Sequence, residues 1–199
     1  METDFKKLYK TAREYHKEHQ YNLAILNYKK AINLNPLNFQ CHIDLSKAYI
    51  ECYEYGESLK ILFFAIKINP DSAEAYKCLG LAYSGMGHYK LAIENLLKSI
   101  AMDSDDPSCY ALLGGFYLEV GEFDQAIEHF SIAVSLIPDF PHYYSALANA
   151  YLKIDNLNEA LKNYRKALEL EILPTFKEAL RENIKRVEEK IKYLNKDVN

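Results

Sequence analysis

The sequence predicts an all-α protein, a solenoid of helical hairpins, and three observations support that prediction. The chain repeats itself every 34 residues, because windows at 5–38, 39–72, 73–106, 107–140 and 141–174 align without a gap. Window position 11 is always tyrosine, and positions 20 and 27 hold only alanine or serine. Each window also contains two stretches of helical apolar spacing separated by a short break. A fixed period of this kind is typical of repeats that bury their apolar faces against their neighbours.

Glycine and proline mark where these predicted helices end. Gly87 and Gly121 occupy the break inside windows three and four, where a left-handed residue that closes a helix costs little only if it is glycine. Pro36, Pro70 and Pro138 are predicted to end the second helix of their windows, because proline cannot continue the hydrogen-bond ladder.

Other residues mark where the helices begin. Asp71 with Glu74 has the spacing of a capping box, and Pro107 and Pro141 suit the first position of a helix. These signals place three of the first helices near the window boundaries.

Residues 175–199 leave the repeat pattern, because continuing the register would bring charged side chains to buried positions. Thr175 with Glu178 has capping-box spacing instead. Apolar residues then recur at steps of three and four, namely Phe176, Leu180, Ile184, Val187, Ile191 and Leu194. We predict one amphipathic capping helix followed by a short tail. The heptad-like spacing also fits self-association through a short coiled coil.

The column pattern resembles the tetratricopeptide repeat. Window four shows the pattern most fully, with Tyr110, Leu113, Gly114, Tyr117, Ala126, Phe130, Ala133 and Pro138. The resemblance covers five repeats in residues 1–174 and implies a right-handed superhelical solenoid. Leu8 and His42 depart from the usual aromatic at position 4, Thr11 replaces leucine at position 7, and Ser104 and Ile172 stand where proline is expected.

Composition and motif content exclude several classes of function. The longest uninterrupted apolar stretch, 61–66, is far shorter than the roughly 18 residues of a membrane span. The first residues are charged, so we expect no secretory leader. The four cysteines are scattered without metal-ligand spacing, as expected of small buried side chains in a reducing compartment. No phosphate-binding, metalloprotease or nucleophile motif occurs. We expect a cytoplasmic, non-catalytic protein without metal, cofactor or membrane partner. The pI of about 5.9 argues against nucleic acid.

The resemblance implies that the first helices of the repeats line a concave groove, through window positions 2, 5, 6, 9, 12 and 13. The groove residues expected from it are Lys6, Tyr9, Lys10, Arg13, Lys47, Lys77, Cys78, Leu81, Ala111, Leu112, Gly115, Leu118, Ala146, Asn149 and Leu152. Repeat one is basic, and repeats three to five offer small and apolar groups. Window 5–38 holds seven Lys/Arg against two Asp/Glu, whereas 107–140 holds five Asp/Glu and no Lys/Arg. Such asymmetry can orient a partner during encounter.

The sequence therefore predicts an adaptor, monomeric or weakly homo-oligomeric, that holds a peptide or helix of a partner protein in this groove. The carboxylate clamp of the family's co-chaperones is disfavoured, because its positions in repeats one to three hold Tyr9, Arg13, Asp44, Glu74 and Cys78. Two alternatives stay open: a self-assembling scaffold that uses the C-terminal helix, and the targeting module of a larger enzyme complex.

Overall fold

The computed structural model describes residues 2–196, which form helices joined by short turns and no strand. In chain order the helices are α1 (Glu2–Lys17), α2 (Tyr21–Leu34), α3 (Phe39–Glu51), α4 (Tyr55–Ile68), α5 (Ala73–Gly85), α6 (Tyr89–Met102), α7 (Pro107–Val120), α8 (Phe123–Leu136), α9 (Pro141–Lys153), α10 (Leu157–Leu170) and α11 (Pro174–Lys196). The protein is thus an all-α helical repeat array, as the sequence predicts. Within the described residues, no helix combines the length and apolarity needed to cross a bilayer.

The chain divides into two compact units, Met1–Ser104 and Asp105–Asn199. In unit 1, α1/α2, α3/α4 and α5/α6 form three hairpins, and each hairpin packs against the next. In unit 2, α7/α8 and α9/α10 form two hairpins, and α11 packs against α10. Within each unit the first helices of successive hairpins also touch one another, so they share one side of the unit.

The repeated columns form the core of both units. The small residues of positions 20 and 27 are all at most 1% exposed, so the helices approach closely there. Between them lies position 24, whose large side chains are buried in every repeat: Tyr28, Leu62, Leu96, Phe130 and Tyr164. The tyrosines of position 11 are buried or half-buried. The packing role predicted for these columns is confirmed.

The turn inside every hairpin is left-handed at window position 15. Gly87 and Gly121 have φ values of 76° and 83°, as predicted. His19, Tyr53 and Asp155 stand at the same position in the other repeats and have φ values of 58° to 62°. The sequence signal found only the two glycines, although the backbone makes the same turn in all five repeats.

The predicted helix ends hold and two predicted helix starts do not. The second helices of windows one, two and four end two residues before their prolines, and Pro107 and Pro141 each open a helix. The capping box at Asp71 is wrong, because Ser72 directly precedes the helix and its Oγ accepts the N–H of Ala75 at 3.2 Å.

The capping box predicted at Thr175 is also wrong. Helix α11 already begins at Pro174, and the N–H of Lys177 donates to the carbonyl of Leu173 at 3.0 Å. The carboxylate of Glu171 accepts the N–H groups of Ile172 and Leu173, both at 2.8 Å, and so fixes the chain as it enters the helix.

Helix α11 turns its apolar residues towards α10. Leu180 and Val187 are buried in one cluster with residues of α9 and α10, and Phe176, Ile184 and Ile191 pack against that cluster. Ion pairs join Glu188 to Arg165 at 2.7 Å and Lys190 to Asp155 at 2.5 Å. Of the predicted stripe, Leu194 is exposed. The predicted tail falls partly on residues 197–199, which lie outside the described residues.

Candidate functional site

The shared side of the first helices in unit 1 carries a polar network centred on Asp44 of α3. The hydroxyl of Tyr9 donates to Asp44 Oδ2 at 2.7 Å, and Gln40 Nε2 donates to Oδ1 at 3.2 Å. Arg13 Nε lies 4.0 Å from Oδ2. Burial and the neighbouring carboxylate raise the pKa of Tyr9, so its phenol stays protonated and remains a donor. The network locks α1 to α3.

A second ion pair joins α3 to α5 on the same side. Lys47 Nζ donates to Glu74 Oε1 at 2.5 Å, and both side chains are about 40% exposed. Burial alone would lower the pKa of Lys47, but the hydrogen bond and charge of Glu74 outweigh it, and the net change is upward. Lys47, predicted as a groove residue, is therefore a cation already committed to a partner within the chain.

Helix α1 carries the predicted basic cluster, but much of its charge is matched locally. Lys6 pairs with Glu2 at 2.7 Å and Lys10 with Glu14 at 3.8 Å, all in exposed positions. A shallow cavity of about 290 Å³ is lined by Lys6, Tyr9, Lys10, Arg13, Glu14 and Lys17. Exposed pairs of this kind contribute little, so the cations can exchange partners at low cost.

The predicted groove residues of α5 do not all face outward. Lys77 and Leu81 are half-buried, whereas Cys78 is 1% exposed and packs among Ile43 and Leu62. Burial raises the pKa of the Cys78 thiol to about 11. Cys78 therefore does not belong to a partner-accessible lining; it fills space between α3, α4 and α5.

In unit 2 the shared side of α7 and α9 is small and apolar. The predicted residues there are Ala111, Leu112, Gly115, Leu118, Ala146, Asn149 and Leu152, and all except the exposed Asn149 are half-buried. Leu118 and Ala146 pack against one cluster that contains Phe130 and Leu147, which brings the two helices together. A Cβ added to Gly115 would meet no heavy atom of a packing neighbour within 4 Å, so open space lies in front of this residue.

Among the predicted residues on this side, Asn149 is polar, and a hydrogen bond from another helix of the protein sets the orientation of its side chain. Its Oδ1 accepts a short hydrogen bond from the hydroxyl of Tyr164 on α10. Because the oxygen is engaged, the Nδ2 group is what Asn149 presents outward, as a donor. The sequence singled out Asn149 but not the buried tyrosine that orients it.

The described residues contain no group of three or more His, Cys, Asp or Glu side chains that could hold a metal ion. Cys41, Cys78 and Cys109 are buried, Cys52 is half-buried, and none of these four described residues forms a disulfide.

Comparison with known proteins agrees with this architecture. A tetratricopeptide repeat model matches residues 83–150, and a second model of the same repeat matches 141–172. A crystal structure of MamA is 30% identical, with a TM-score of 0.72, over 80% of this chain and 93% of that chain. The chain belongs to the tetratricopeptide repeat family.

Two further structures extend the comparison. A second crystal structure of MamA protein is 28% identical, with a TM-score of 0.73, over 85% of this chain and 93% of that one. The thermophilic TPR protein TTC0263 of Thermus thermophilus is 22% identical, with a TM-score of 0.71, over 92% and 98%, and shares the fold. No curated protein sequence matches the chain. As a tetratricopeptide repeat protein, the chain is a protein-interaction module.

Sequence reasoning missed the exposed apolar residues on the second helices of unit 1. Leu26 on α2, Phe63 and Phe64 on α4, and Leu97 on α6 are 42% to 49% exposed. The signal was present, because these four residues fall at window positions 22, 25 and 26, where at least three of the five repeats carry polar or charged side chains.

Proposed function

We propose that this tetratricopeptide repeat protein is a non-catalytic adaptor whose α7–α9 side binds a peptide or helix of a partner protein. The observation that supports it is the open space in front of Gly115, bordered on α7 by the half-exposed Leu112 and Leu118. An apolar partner side chain placed there would be removed from water without displacing any side chain of the array.

Polar groups near this surface favour one orientation of the partner. Asn149 Nδ2 can donate to a backbone carbonyl of an extended or helical segment. Glu119 near the end of α7 and Glu122 directly before α8 are exposed, and they favour a partner that carries a basic residue beside its apolar anchor.

A pair of substitutions at one position tests the adaptor. Gly115→Glu places a charged side chain in the open space, whereas Gly115→Ala adds one methyl group there. At this position an added Cβ contacts no core atom, so both variants should keep the helicity of the parent and be no less stable than it. The Glu variant should lose the partners that the parent captures from lysate, identified by mass spectrometry, and the Ala variant should keep them. Equal capture by both variants would refute the α7–α9 site.

A second candidate is a self-assembling scaffold that uses α11. Most of its heptad-spaced residues pack on α10, so the surface open to another copy is the exposed pair Tyr193 and Leu194. Removing α11 would also uncover the core residues Tyr164 and Ala167. A change in particle size after truncation could therefore come either from lost assembly or from lost stability. Replacing Tyr193 and Leu194 by lysine avoids this problem. Light scattering that shows a smaller particle supports assembly, and an unchanged mass argues against it.

The remaining proposals concern organisation. We propose that residues 5–174 comprise five repeats in the registers given above and that α11 caps the last of them, since its outward face is charged. The targeting module of a larger enzyme complex, and a cytoplasmic location, stay predictions of the sequence.

A further inference from the structure

The second helices of unit 1 expose apolar side chains that no helix of the unit covers. Leu23 and Leu26 on α2, Phe63 and Phe64 on α4, and Leu91 and Leu97 on α6 are each 40% to 49% exposed. These helices occupy equivalent places in three successive hairpins, so the six side chains belong to one side of unit 1, called here the α2–α4–α6 face. A set of this size, distributed over three helices, is larger than scattered surface leucines explain.

The three helices that carry these apolar groups are also rich in lysine. Helices α2, α4 and α6 together contain six lysines and two glutamates, and α2 contains no acidic residue. One glutamate, Glu57, pairs with Lys60 at 2.6 Å, and the lysines at 30 and 67 are exposed beside Phe63 and Phe64 in the repeat register. The face is therefore basic and apolar at once, although the whole chain has a net charge of −4.

The second helices of unit 2 lack this combination. Helix α8 carries Asp124 and Glu128 and no lysine or arginine. On α10, Lys162 pairs with Glu159 and Lys166 with Glu169, at 3.1 and 3.2 Å. Since the hairpins of both units bury the same core columns, packing does not require the apolar and basic residues of α2, α4 and α6.

We propose that the α2–α4–α6 face binds the surface of a bilayer that contains anionic lipid. Lysines near such a surface are attracted to the lipid phosphates, while their aliphatic stems and the neighbouring phenylalanines enter the headgroup boundary. The positive charge of the face favours an anionic occupant. Its spread over three helices also fits an extended surface. The proposal revises the expectation that the protein has no membrane partner.

Vesicle flotation with the full chain tests the proposal. The probes are vesicles of phosphatidylcholine mixed with phosphatidylglycerol, and vesicles of phosphatidylcholine alone. We expect the protein to float with the mixed vesicles, not with the neutral ones, and to be released as salt is raised, because salt screens exposed charges. Equal recovery with both vesicles, or none with either, would overturn the proposal.

Matched variants assign the binding to the face. Lys30→Gln with Lys67→Gln should weaken partitioning about 25-fold, from about fivefold per lysine near an anionic surface. The control is Lys162→Gln with Lys185→Gln, which removes the same charge from exposed lysines of α10 and α11 and should change partitioning little. Phe63→Gln should weaken binding at constant charge. Equal losses in both lysine pairs would show non-specific attraction and refute the assignment.

Other occupants of the face give distinct results. Concentration-dependent growth in mass that Phe63→Gln abolishes, without vesicle binding, identifies a second copy of the chain and overturns the lipid proposal. If the parent captures a protein that Phe63→Gln does not, and neither binds vesicles, the occupant is that protein and the lipid proposal is again overturned. Gly115→Glu should bind vesicles like the parent, so failure of the adaptor site and failure of this face can be told apart.

Discussion

Two adjacent glycines of α7 should respond in opposite directions to the same substitution. At Gly114 an added Cβ would stand 2.9 Å from Cγ and Cδ1 of Phe130 and 3.0 Å from Cδ2, well inside ordinary contact. The ring cannot easily retreat, because Phe130 is 4% exposed and packs against Ala126 and Leu147. At Gly115 an added Cβ would meet no atom within 4 Å.

The expected magnitudes follow from these distances. Replacing a helical glycine by alanine stabilises a helix by about 0.5–1 kcal/mol, and both variants receive this gain. Forcing a methyl group into a packed core costs about 1–3 kcal/mol, and only Gly114→Ala incurs that cost. Gly115→Ala should therefore be more stable than the parent. The difference between the two variants, from which helix propensity cancels, should be about 1–3 kcal/mol.

Thermal and urea unfolding followed by far-UV circular dichroism measure this difference. At about 2–4 °C per kcal/mol for a chain of this size, the midpoint of Gly115→Ala should exceed that of Gly114→Ala by several degrees. The parent should lie between them or close to Gly114→Ala. The close contact between Gly114 and Phe130 would be refuted if Gly114→Ala were as stable as Gly115→Ala.

The remaining predictions use single buried or strained groups. The buried hydroxyl of Ser58 has no hydrogen-bond partner among the described residues, whereas that of Ser99 donates to the carbonyl of Ala73 at 2.8 Å. In urea unfolding, Ser58→Ala should thus raise the free energy of unfolding by about 1 kcal/mol, whereas Ser99→Ala should not raise it. Equal effects of the two substitutions would contradict this reasoning. Tyr53 has a φ of 62°, so Tyr53→Gly should raise the free energy of unfolding by about 1 kcal/mol in the same urea measurement. Tyr53→Ala keeps the left-handed strain and should give no such gain. Two backbone N–H groups lower the pKa of Glu171, so its contribution to stability is present at neutral pH and is lost as the pH falls below the ordinary pKa of a glutamate. The unfolding midpoints of the parent and Glu171→Gln should therefore converge in acid, and a constant gap between them would refute the hydrogen bonds.

The period predicted the fold because the residues that repeat are those that touch across helices. Ala24, Ala126 and Ala160 are buried for one geometric reason, and one register therefore locates all of them. Cys78 shows where the same logic fails. Its window position faces a groove in the family pattern, but in this chain the thiol is packed between neighbouring helices. The window position of a residue does not determine how deeply its side chain is buried between the neighbouring helices.

Charge was less predictable than packing. Counting residues made repeat one strongly basic, yet its Arg13 lies near Asp44 of window two. Lys47 of window two likewise pairs with Glu74 of window three, so both contacts cross a hairpin boundary. These partners are 31 and 27 residues apart, and a count within one window assigns the cation and its carboxylate to different repeats. An inter-repeat ion pair depends on which rotamers meet, and the sequence does not specify that.

The turn at window position 15 shows that the repeat is held by its backbone as much as by its columns. In all five repeats the N–H of position 16 donates to the carbonyl of the position 11 tyrosine, at 2.9 or 3.0 Å. That bond, with a left-handed residue between its ends, closes the helix and satisfies a carbonyl that would otherwise lack a partner. His19, Tyr53 and Asp155 therefore adopt the left-handed conformation although each has a Cβ. Glycine at this position lowers the cost of the turn but does not create it, because the same bond forms in the repeats that lack glycine there.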